Sequence, residues 1–167
     1  MYLPGVDEMN HSKKMDIAIV ETTDSTELAR MNESVQTWHH QNYPAEFKPY
    51  HHAEIAEAFE RLLTQQDYFA LVAKSDGESI GYLLGCIKRR PESAFQYEKA
   101  ILHIDQIAVV EVHRKQGIGQ RLLEAASGLA KEQNISEIQL DHWAGNELAE
   151  QFFSQHGFVY FNHRMRR

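Results

Sequence analysis

Hydrophobic residues recur at helical spacing in the first part of the chain. Leu28, Met31 and Val35 follow one another at intervals of three and four residues, which places them on one side of a helix. This spacing predicts a first helix from Thr26 to about His40. A break that contains two prolines comes next, and the pattern then predicts a second helix from His52 to Thr64.

From Tyr68 onward the pattern changes to short apolar runs separated by turn residues, which is typical of strands. The pair Asp76-Gly77 between two such runs indicates a tight hairpin. The predicted strands are Asp16–Glu21, Tyr68–Ala73, Ile80–Lys88, Lys99–Val109, Glu137–Leu140 and one that starts at Phe158. Two later helices are predicted over Gly117–Gln133 and Glu147–Gln155. The order β-α-α-β-β-β-α-β-α-β predicts an α+β fold in which helices pack on a mixed sheet.

Composition places the chain among single-domain proteins. Its 167 residues are enough for one core, and no apolar run approaches the length needed to span a membrane. The polar segment Met1–Lys14 lacks the apolar centre typical of a secretory signal, and we expect a flexible tail or an expression remnant before one domain over residues 15–167. The single cysteine, Cys86, lies in an apolar run, which favours a buried structural thiol and a cytoplasmic location.

Charge and histidine spacing narrow the classes of partner. The formal net charge of −7 argues against nucleic-acid binding and suits a cationic acceptor. The adjacent pairs His39-His40 and His51-His52 lack the i, i+4 spacing that would direct two rings to one ion on a helix. We therefore expect no metal site.

A basic, glycine-containing loop, residues 114–119 (Arg-Lys-Gln-Gly-Ile-Gly), joins an apolar strand to a helix. The first N–H groups of a helix have no partner within it and carry the positive end of its dipole, so such a loop favours phosphate. The dinucleotide fingerprint needs a third glycine where Leu122 stands, and the nucleoside-triphosphate loop needs Lys-Ser/Thr after Gly119. The dinucleotide-binding loop and the nucleoside-triphosphate loop are therefore excluded.

The remaining spacing, Arg/Gln-x-x-Gly-x-Gly/Ala, resembles the acetyl-CoA pyrophosphate loop of the GNAT N-acetyltransferase superfamily. Downstream, Asn146-x-x-Ala149-x-x-Phe152-Phe153-x-x-x-Gly157-Phe158 is similar to the second signature of that family, and Ile104–Val109 is similar to the strand before its loop. The three segments cover about residues 100 to 160 and occur in the family's order.

This resemblance implies a GNAT-like sheet and acetyl-CoA as cosubstrate. The pantetheine arm would pair with the strand backbone at Ile107 and Val109, and the pyrophosphate would rest on the N–H groups of residues 116–120. Asn146 would bond the pantetheine, cap the following helix, or do both. The expected cofactor residues are Ile107, Ala108, Val109, Arg114, Lys115, Gln116, Gly117, Ile118, Gly119, Gln120, Asn146 and Phe153.

Two residues of the strand before the loop are candidates for proton transfer. Acetylation requires the amine to lose a proton. His103 aligns with a position where some GNAT members carry a catalytic Glu, and strand alternation places Asp105 on the same face. We interpret His103 as the base and Asp105 as the group that orients it. The alternative is a strand histidine without a chemical role.

Phe153 departs from the family pattern, because members with an identified general acid usually carry Tyr there to protonate the CoA sulfur. Another group or solvent would then supply the proton. A second interpretation is an acetyl-CoA-binding module without turnover.

The resemblance predicts direct attack of a primary amine on acetyl-CoA in a ternary complex. A small-molecule amine is preferred because the chain is short and acidic, with a protein or peptide N-terminus as the alternative and a nucleic-acid acceptor as a weaker third. The aromatic segment 38–50 and Trp143 are candidates for the walls of the acceptor pocket. The expected state is a monomer or a homodimer.

Overall fold

The computed structural model describes residues 16–167, so the predictions for Met1–Lys14 lie outside the described residues. The strands are β1 (Ala18–Glu21), β2 (Tyr68–Ser75), β3 (Glu78–Arg90), β4 (Lys99–Val109) and β5 (Ile138–Leu140). The helices are α1 (Ser25–Asn42), α2 (His52–Leu63), α3 (Ile118–Glu132) and α4 (Glu147–Gln155), and a 3-10 turn covers Glu111–His113.

The five strands form one mixed sheet in sequence order. Strands β1 to β4 pair antiparallel with their neighbours, and β4 pairs with β5 in parallel. The β2–β3 hairpin turns at Asp76 and Gly77, whose φ angles of 49° and 83° are those of a tight primed turn. The predicted hairpin and the GNAT-like α+β fold are confirmed.

Hydrophobic side chains on the two faces of the sheet form two cores. On one face, Val72, Tyr82 and Leu84 pack with residues of α1 and α2. On the other face, Leu83 and Leu102 pack against the apolar stripe of α3. The sheet is therefore buried between two helical layers, and the apolar runs of β2 and β3 reflect strands that are covered on both faces.

Local sequence explains where helices begin and end. The Asp24 side chain accepts a hydrogen bond from the Glu27 N–H at 2.9 Å and caps α1. Helix α4 ends in a Schellman motif, in which Gly157 has φ 85° and the Phe158 N–H donates to the Phe153 carbonyl. The glycine and phenylalanine that end the second signature thus form a helix stop.

The predicted strand from Phe158 is wrong, because residues 158–167 form no regular secondary structure. Strand β5 has only three residues and offers a short edge for pairing. The tail is held by side chains instead, through Tyr160 to His142 and Arg166 to Glu46. Over residues 16–167, no helix is both long and apolar enough to cross a membrane.

Candidate active site

Strands β4 and β5 separate after a short stretch of pairing. The register joins Leu102 to Ile138 and Ile104 to Leu140, and no β5 residue pairs with β4 beyond that point. On its other side β4 stays paired with β3 as far as Val109. The last five residues of β4, 105–109, therefore have one open backbone edge.

The groups on that edge follow from the hydrogen-bonding register. The Val110 N–H donates to the Ile80 carbonyl of β3, so by alternation Ala108 also faces β3, whereas Ile107 and Val109 face the open edge. The Ala108 side chain is buried as well. Of the three strand residues predicted to bind cofactor, Ile107 and Val109 are suitably placed, and Ala108 supports the strand from within.

A bulge lies where the strands separate. The register shifts between Leu84 and Gly85, so Asp105 has no partner on β3. The Gln106 side chain next to it is fixed by a buried network: the Tyr82 hydroxyl donates to Gln106 Oε1 at 2.7 Å, and Asn32 Nδ2 donates to the same oxygen at 3.0 Å. This network ties α1, β3 and β4 together beneath the bulge.

Three ionisable side chains meet at the inner end of the open edge. His103 Nδ1 lies 2.8 Å from Asp105 Oδ1, and His103 Nε2 lies 3.2 Å from Asp141 Oδ2. The His103 ring is buried, whereas the Asp141 side chain is 95% exposed. The predicted contact of His103 with Asp105 is present, and Asp141, which the sequence interpretation missed, completes the cluster.

A protonation state follows from these contacts. A carboxylate oxygen accepts hydrogen bonds, so both ring nitrogens of His103 can be satisfied only when both carry protons. For His103 to accept a proton, one contact has to open. The Asp141 contact is the longer of the two and involves the exposed partner, which makes Nε2 the nitrogen that can be released.

Tyr68 and Cys86 border the same cluster. Burial and, next, the negative charge of Asp105 raise the pKa of Tyr68 to about 12, so its hydroxyl remains a donor. Burial, followed by Asp105, also raises the pKa of the Cys86 thiol, although the donor atoms of Cys86, His103 and Asp105 lie within 4.8 Å of one another. A protonated thiol is neither a good nucleophile nor a good metal ligand, which supports a structural cysteine.

The basic loop runs from β4 to α3 in a fixed conformation. Arg114 Nε donates to the Val109 carbonyl at 3.1 Å, and Lys115 and Gly117 have φ angles of 61° and 78°. The first intrahelical bond of α3 runs from the Arg121 N–H to the Gly117 carbonyl, so the N–H groups of residues 118–120 project from the helix. From the sequence, we expect a phosphate at these N–H groups.

The two glycines of the loop have different roles. Gly117 has a left-handed backbone, and a Cβ there would point into open space. At Gly119 a Cβ would lie 2.8 Å from a ring carbon of Phe152, so this glycine allows α3 and α4 to pack closely. The Ile118 side chain is buried in the core, and only its backbone can face a ligand. The sequence interpretation, which assigned both glycines to phosphate access, missed the packing role of Gly119.

Asn146 and Phe153 position the last helix. The Asn146 side chain accepts a hydrogen bond from the Ala149 N–H at 3.1 Å, which confirms the predicted cap. The Phe153 ring is buried, packs edge-on against Phe158, and lies 6.4 Å from the His142 ring.

His142 and Tyr160 are further residues that the sequence interpretation did not assign. Tyr160 Oη lies 2.9 Å from His142 Nε2, and His142 Nδ1 lies 3.2 Å from the Trp143 carbonyl. Local desolvation, followed by the neighbouring Glu150, raises the pKa of Tyr160, which keeps the phenol protonated at neutral pH. Nothing in the sequence pattern pairs His142 with a residue 18 positions away.

Aromatic side chains bring the two predicted walls of the acceptor pocket into contact. The Tyr43 ring lies 4.4 Å from the Trp143 ring, and Tyr43 Oη accepts a hydrogen bond from the Gly145 N–H. His39 stacks on Phe47 at 4.4 Å, and burial lowers the pKa of His39. The α1–α2 and β5–α4 loops are therefore joined at the end of the sheet where His103 lies.

A separate cleft of about 410 Å³ lies between α3 and the end of α4. Among the predicted site residues it includes only Gln120. None of its lining residues belongs to the His103–Asp105–Asp141 cluster, so we do not assign the acceptor to it.

Comparison with known protein sequences identifies the family of this chain. Residues 32–158 match the acetyltransferase (GNAT) family. The chain belongs to this family and is an acetyl-CoA-dependent N-acetyltransferase. An N-alpha-acetyltransferase from Sulfurisphaera tokodaii is 29% identical over 154 residues, covering 90% of this chain and 84% of the relative.

Solved structures have the same fold. A tetramutant of the BH1408 protein from Bacillus halodurans superposes with a TM-score of 0.83 at 21% identity, covering 92% of this chain and 99% of that one. An aminoglycoside N-acetyltransferase, AAC(6')-Iy, in complex with CoA superposes with a TM-score of 0.68 at 17% identity, covering 92% and 93%. Similarity at these identities demonstrates the fold alone.

Proposed function

We propose that this protein acetylates a primary amine of a small molecule by direct attack on acetyl-CoA in a ternary complex. The observation that carries the proposal is the position of the His103–Asp105–Asp141 cluster at the inner end of the open β4 edge. An acyl group carried along that edge would lie beside groups that can bind an ammonium ion and accept its proton.

The open edge and the loop are suited to the two halves of the cofactor. Ile107 and Val109 offer backbone groups to the pantetheine amides, while Arg114 already occupies the Val109 carbonyl. The N–H groups of residues 118–120 and the charge of Lys115 would hold the pyrophosphate. Each charge-assisted hydrogen bond contributes about 1.5–3 kcal/mol, so a few backbone donors suffice.

Proton transfer from the amine is assigned to His103. The incoming ammonium group would take the place of the His103 ring as partner of the exposed Asp141 carboxylate. This exchange frees His103 Nε2, which releases its proton to solvent and leaves the ring neutral, while Asp105 continues to orient the ring through Nδ1. The neutral ring then accepts the proton as nitrogen attacks the acetyl carbon.

The contact between the acceptor-side loops favours a small substrate. Tyr43 touches both Trp143 and Gly145, so the end of the sheet is closed by side chains that have to separate before an extended chain could cross it. A release-of-thiol assay with small aliphatic amines, amino sugars and peptides with free N-termini tests this preference. We expect the small amines to react fastest, and a panel in which only peptides react would overturn it.

A polypeptide α-amine is the second candidate, because the relative from Sulfurisphaera tokodaii is an N-alpha-acetyltransferase and aligns over most of both chains. Mass spectrometry of the acetylated peptide distinguishes the α-amine from a lysine side chain. The single buried cysteine supports a cytoplasmic location. We propose a monomer or a homodimer, which sedimentation can decide.

A further inference from the structure

Phe153 has no hydroxyl group, so the proton for the CoA sulfur has to come from another residue or from solvent. An acyl chain that follows the open edge of β4 inward ends where β4 and β5 separate, next to Asp105 on one strand and the residues after Leu140 on the other. Asp141 extends from there to His103. His142, the next residue, is instead near Phe153 of α4.

Both ring nitrogens of His142 have a hydrogen-bond partner. Its Nδ1 is 3.2 Å from the Trp143 carbonyl, which can only accept, so Nδ1 carries a proton. Its Nε2 is 2.9 Å from the Tyr160 hydroxyl. Tyr160 thus reaches the Phe153 side of β5 from the irregular tail, and Glu150 and His163 are the other ionisable groups beside it.

We propose that Tyr160 is the acid that protonates the departing CoA thiolate, and that His142 is the residue that positions it. The proposal rests on the acetyl-transfer function given above. With the His142 proton on Nδ1, the Tyr160 hydroxyl donates to Nε2, which fixes the phenol oxygen beside Phe153. Rotation of the O–H bond then directs the Tyr160 proton at sulfur.

The bonds balance in this step. The amine nitrogen forms its bond to the acetyl carbon and gives its proton to the base, and the carbon–sulfur bond breaks with the electron pair on sulfur. The Tyr160 O–H bond then breaks as the S–H bond of CoA forms. The phenolate of the exposed Tyr160 then regains a proton from solvent.

The tail explains why an aromatic residue without a hydroxyl is tolerated at position 153. Phe153 packs in the α4 core against Phe152 and Phe158. Tyr160 brings a phenol to the same end of β5 from a different part of the chain. In this proposal Tyr160, seven residues after Phe153, takes the role of the tyrosine that the family usually carries at position 153.

The first test compares Tyr160→Phe with the parent enzyme and with Tyr97→Phe, a change at an exposed tyrosine on the β3–β4 loop. We expect kcat to fall on the order of 10²-fold in Tyr160→Phe, with KM for acetyl-CoA and thermal stability unchanged, and no effect in Tyr97→Phe. Adding Phe153→Tyr to the Tyr160→Phe variant should restore turnover, because it returns a phenol to the same side of β5.

The second test needs no acceptor and so separates this proposal from the proposed function. The ultraviolet absorbance of the CoA thiolate, followed against pH in the bound state, reports a donor to sulfur. Tyr160→Phe should raise the pKa of bound CoA thiol, and His142→Asn should raise it less. An unchanged thiol titration in Tyr160→Phe overturns the proposal, even where turnover is lost. Absence of turnover with every amine alongside a shifted titration would instead overturn the acceptor assignment alone.

Discussion

The two contacts of His103 determine how this side chain can act. Asp105 is a fixed partner at 2.8 Å, whereas Asp141 is exposed and its contact is longer, at 3.2 Å. The proposed base would have one fixed orienting partner and one displaceable partner, so it would accept a proton only after the acceptor has bound. Proton transfer would then depend on occupation of the site.

Replacement of His103 by alanine should lower kcat on the order of 10²-fold with little change in acetyl-CoA affinity, because the base is lost and the open β4 edge is retained. Asp141→Asn should mainly raise KM for the amine, since it removes a charge that binds the ammonium. Steady-state kinetics with one amine at several pH values would measure both effects. A His103→Ala enzyme with parental kcat and an unchanged pH profile contradicts the base assignment.

His39 provides a test by pH. Burial lowers its pKa, so between its folded value and about 6.5 the unfolded chain binds more protons at this residue. Its contribution to stability is then present above the unfolded pKa and is lost as pH falls toward the folded one. We expect the free energy of unfolding to decrease between pH 7.5 and 5.5, by less in His39→Phe than in the parent.

Urea unfolding at the two pH values measures that difference. His51→Ala is the control, because His51 is exposed at the start of α2 and its side chain caps no backbone group. An equal pH dependence in His39→Phe and the parent would show that the stacked His39 does not contribute.

The packing of α3 against α4 connects the phosphate loop to the thioester end of the site. Gly119 lies against Phe152, and the next residue of α4, Phe153, lies near His142. We therefore expect a change in the distance between these helices to alter both the phosphate loop and the region around Phe153 and His142. A Gly119 variant can therefore lose acetyl-CoA affinity through altered helix packing as well as through a side chain that blocks the phosphate.

Gly119→Ala should destabilise the protein, because its Cβ would meet the Phe152 ring at 2.8 Å and the ring or the helix must move. Gly128→Ala is the matched control on the same helix, where a Cβ would meet nothing within 4 Å. Removing a mid-helix glycine there should stabilise by about 0.5–1 kcal/mol. Thermal unfolding and calorimetric titration with acetyl-CoA measure both variants, and equal stabilities would contradict the packing role.

The separation of β4 from β5 organises the site as a whole. It opens one edge of β4 and places two consecutive β5–α4 residues on opposite sides, with Asp141 toward His103 and His142 toward Phe153. In the proposed reaction these adjacent residues would serve the amine side and the sulfur side. The aromatic contact between Tyr43 and Trp143 would close the amine side.

Opening that contact should change acceptor use without changing cofactor binding. Tyr43→Phe removes the hydrogen bond to the Gly145 N–H, and Trp143→Ala removes the ring contact as well. We expect KM for small amines to rise in both variants, more in Trp143→Ala, and peptide acetylation to increase relative to small amines. Competition assays with a mixed amine and peptide pool measure the ratio, and a ratio that falls would argue that these loops bind peptides directly.

Much of the secondary structure and the family could be predicted from the sequence alone, because local residue patterns specify local structure. The helical periods, the Asp76-Gly77 turn, the Asp24 and Asn146 caps, and the glycine loop all depend on residues a few positions apart. The loop and the second signature also identified the family, since their spacing reflects backbone requirements of one cofactor site. The strand expected at Phe158 was wrong because an apolar run does not specify whether a sheet edge will accept it.

Contacts between side chains that are distant in the sequence could be identified only from the folded structure. Asp141 joins His103 across two strands, Tyr160 reaches His142 from the tail, and Gly119 is small because Phe152 lies above it. The bulge at Asp105 also depends on pairing with β3 and on the buried Gln106 network, neither of which a local pattern encodes. The candidate site is formed by contacts between strands, helices and the C-terminal tail. These contacts form only after pairing within the sheet has fixed the position of each strand end.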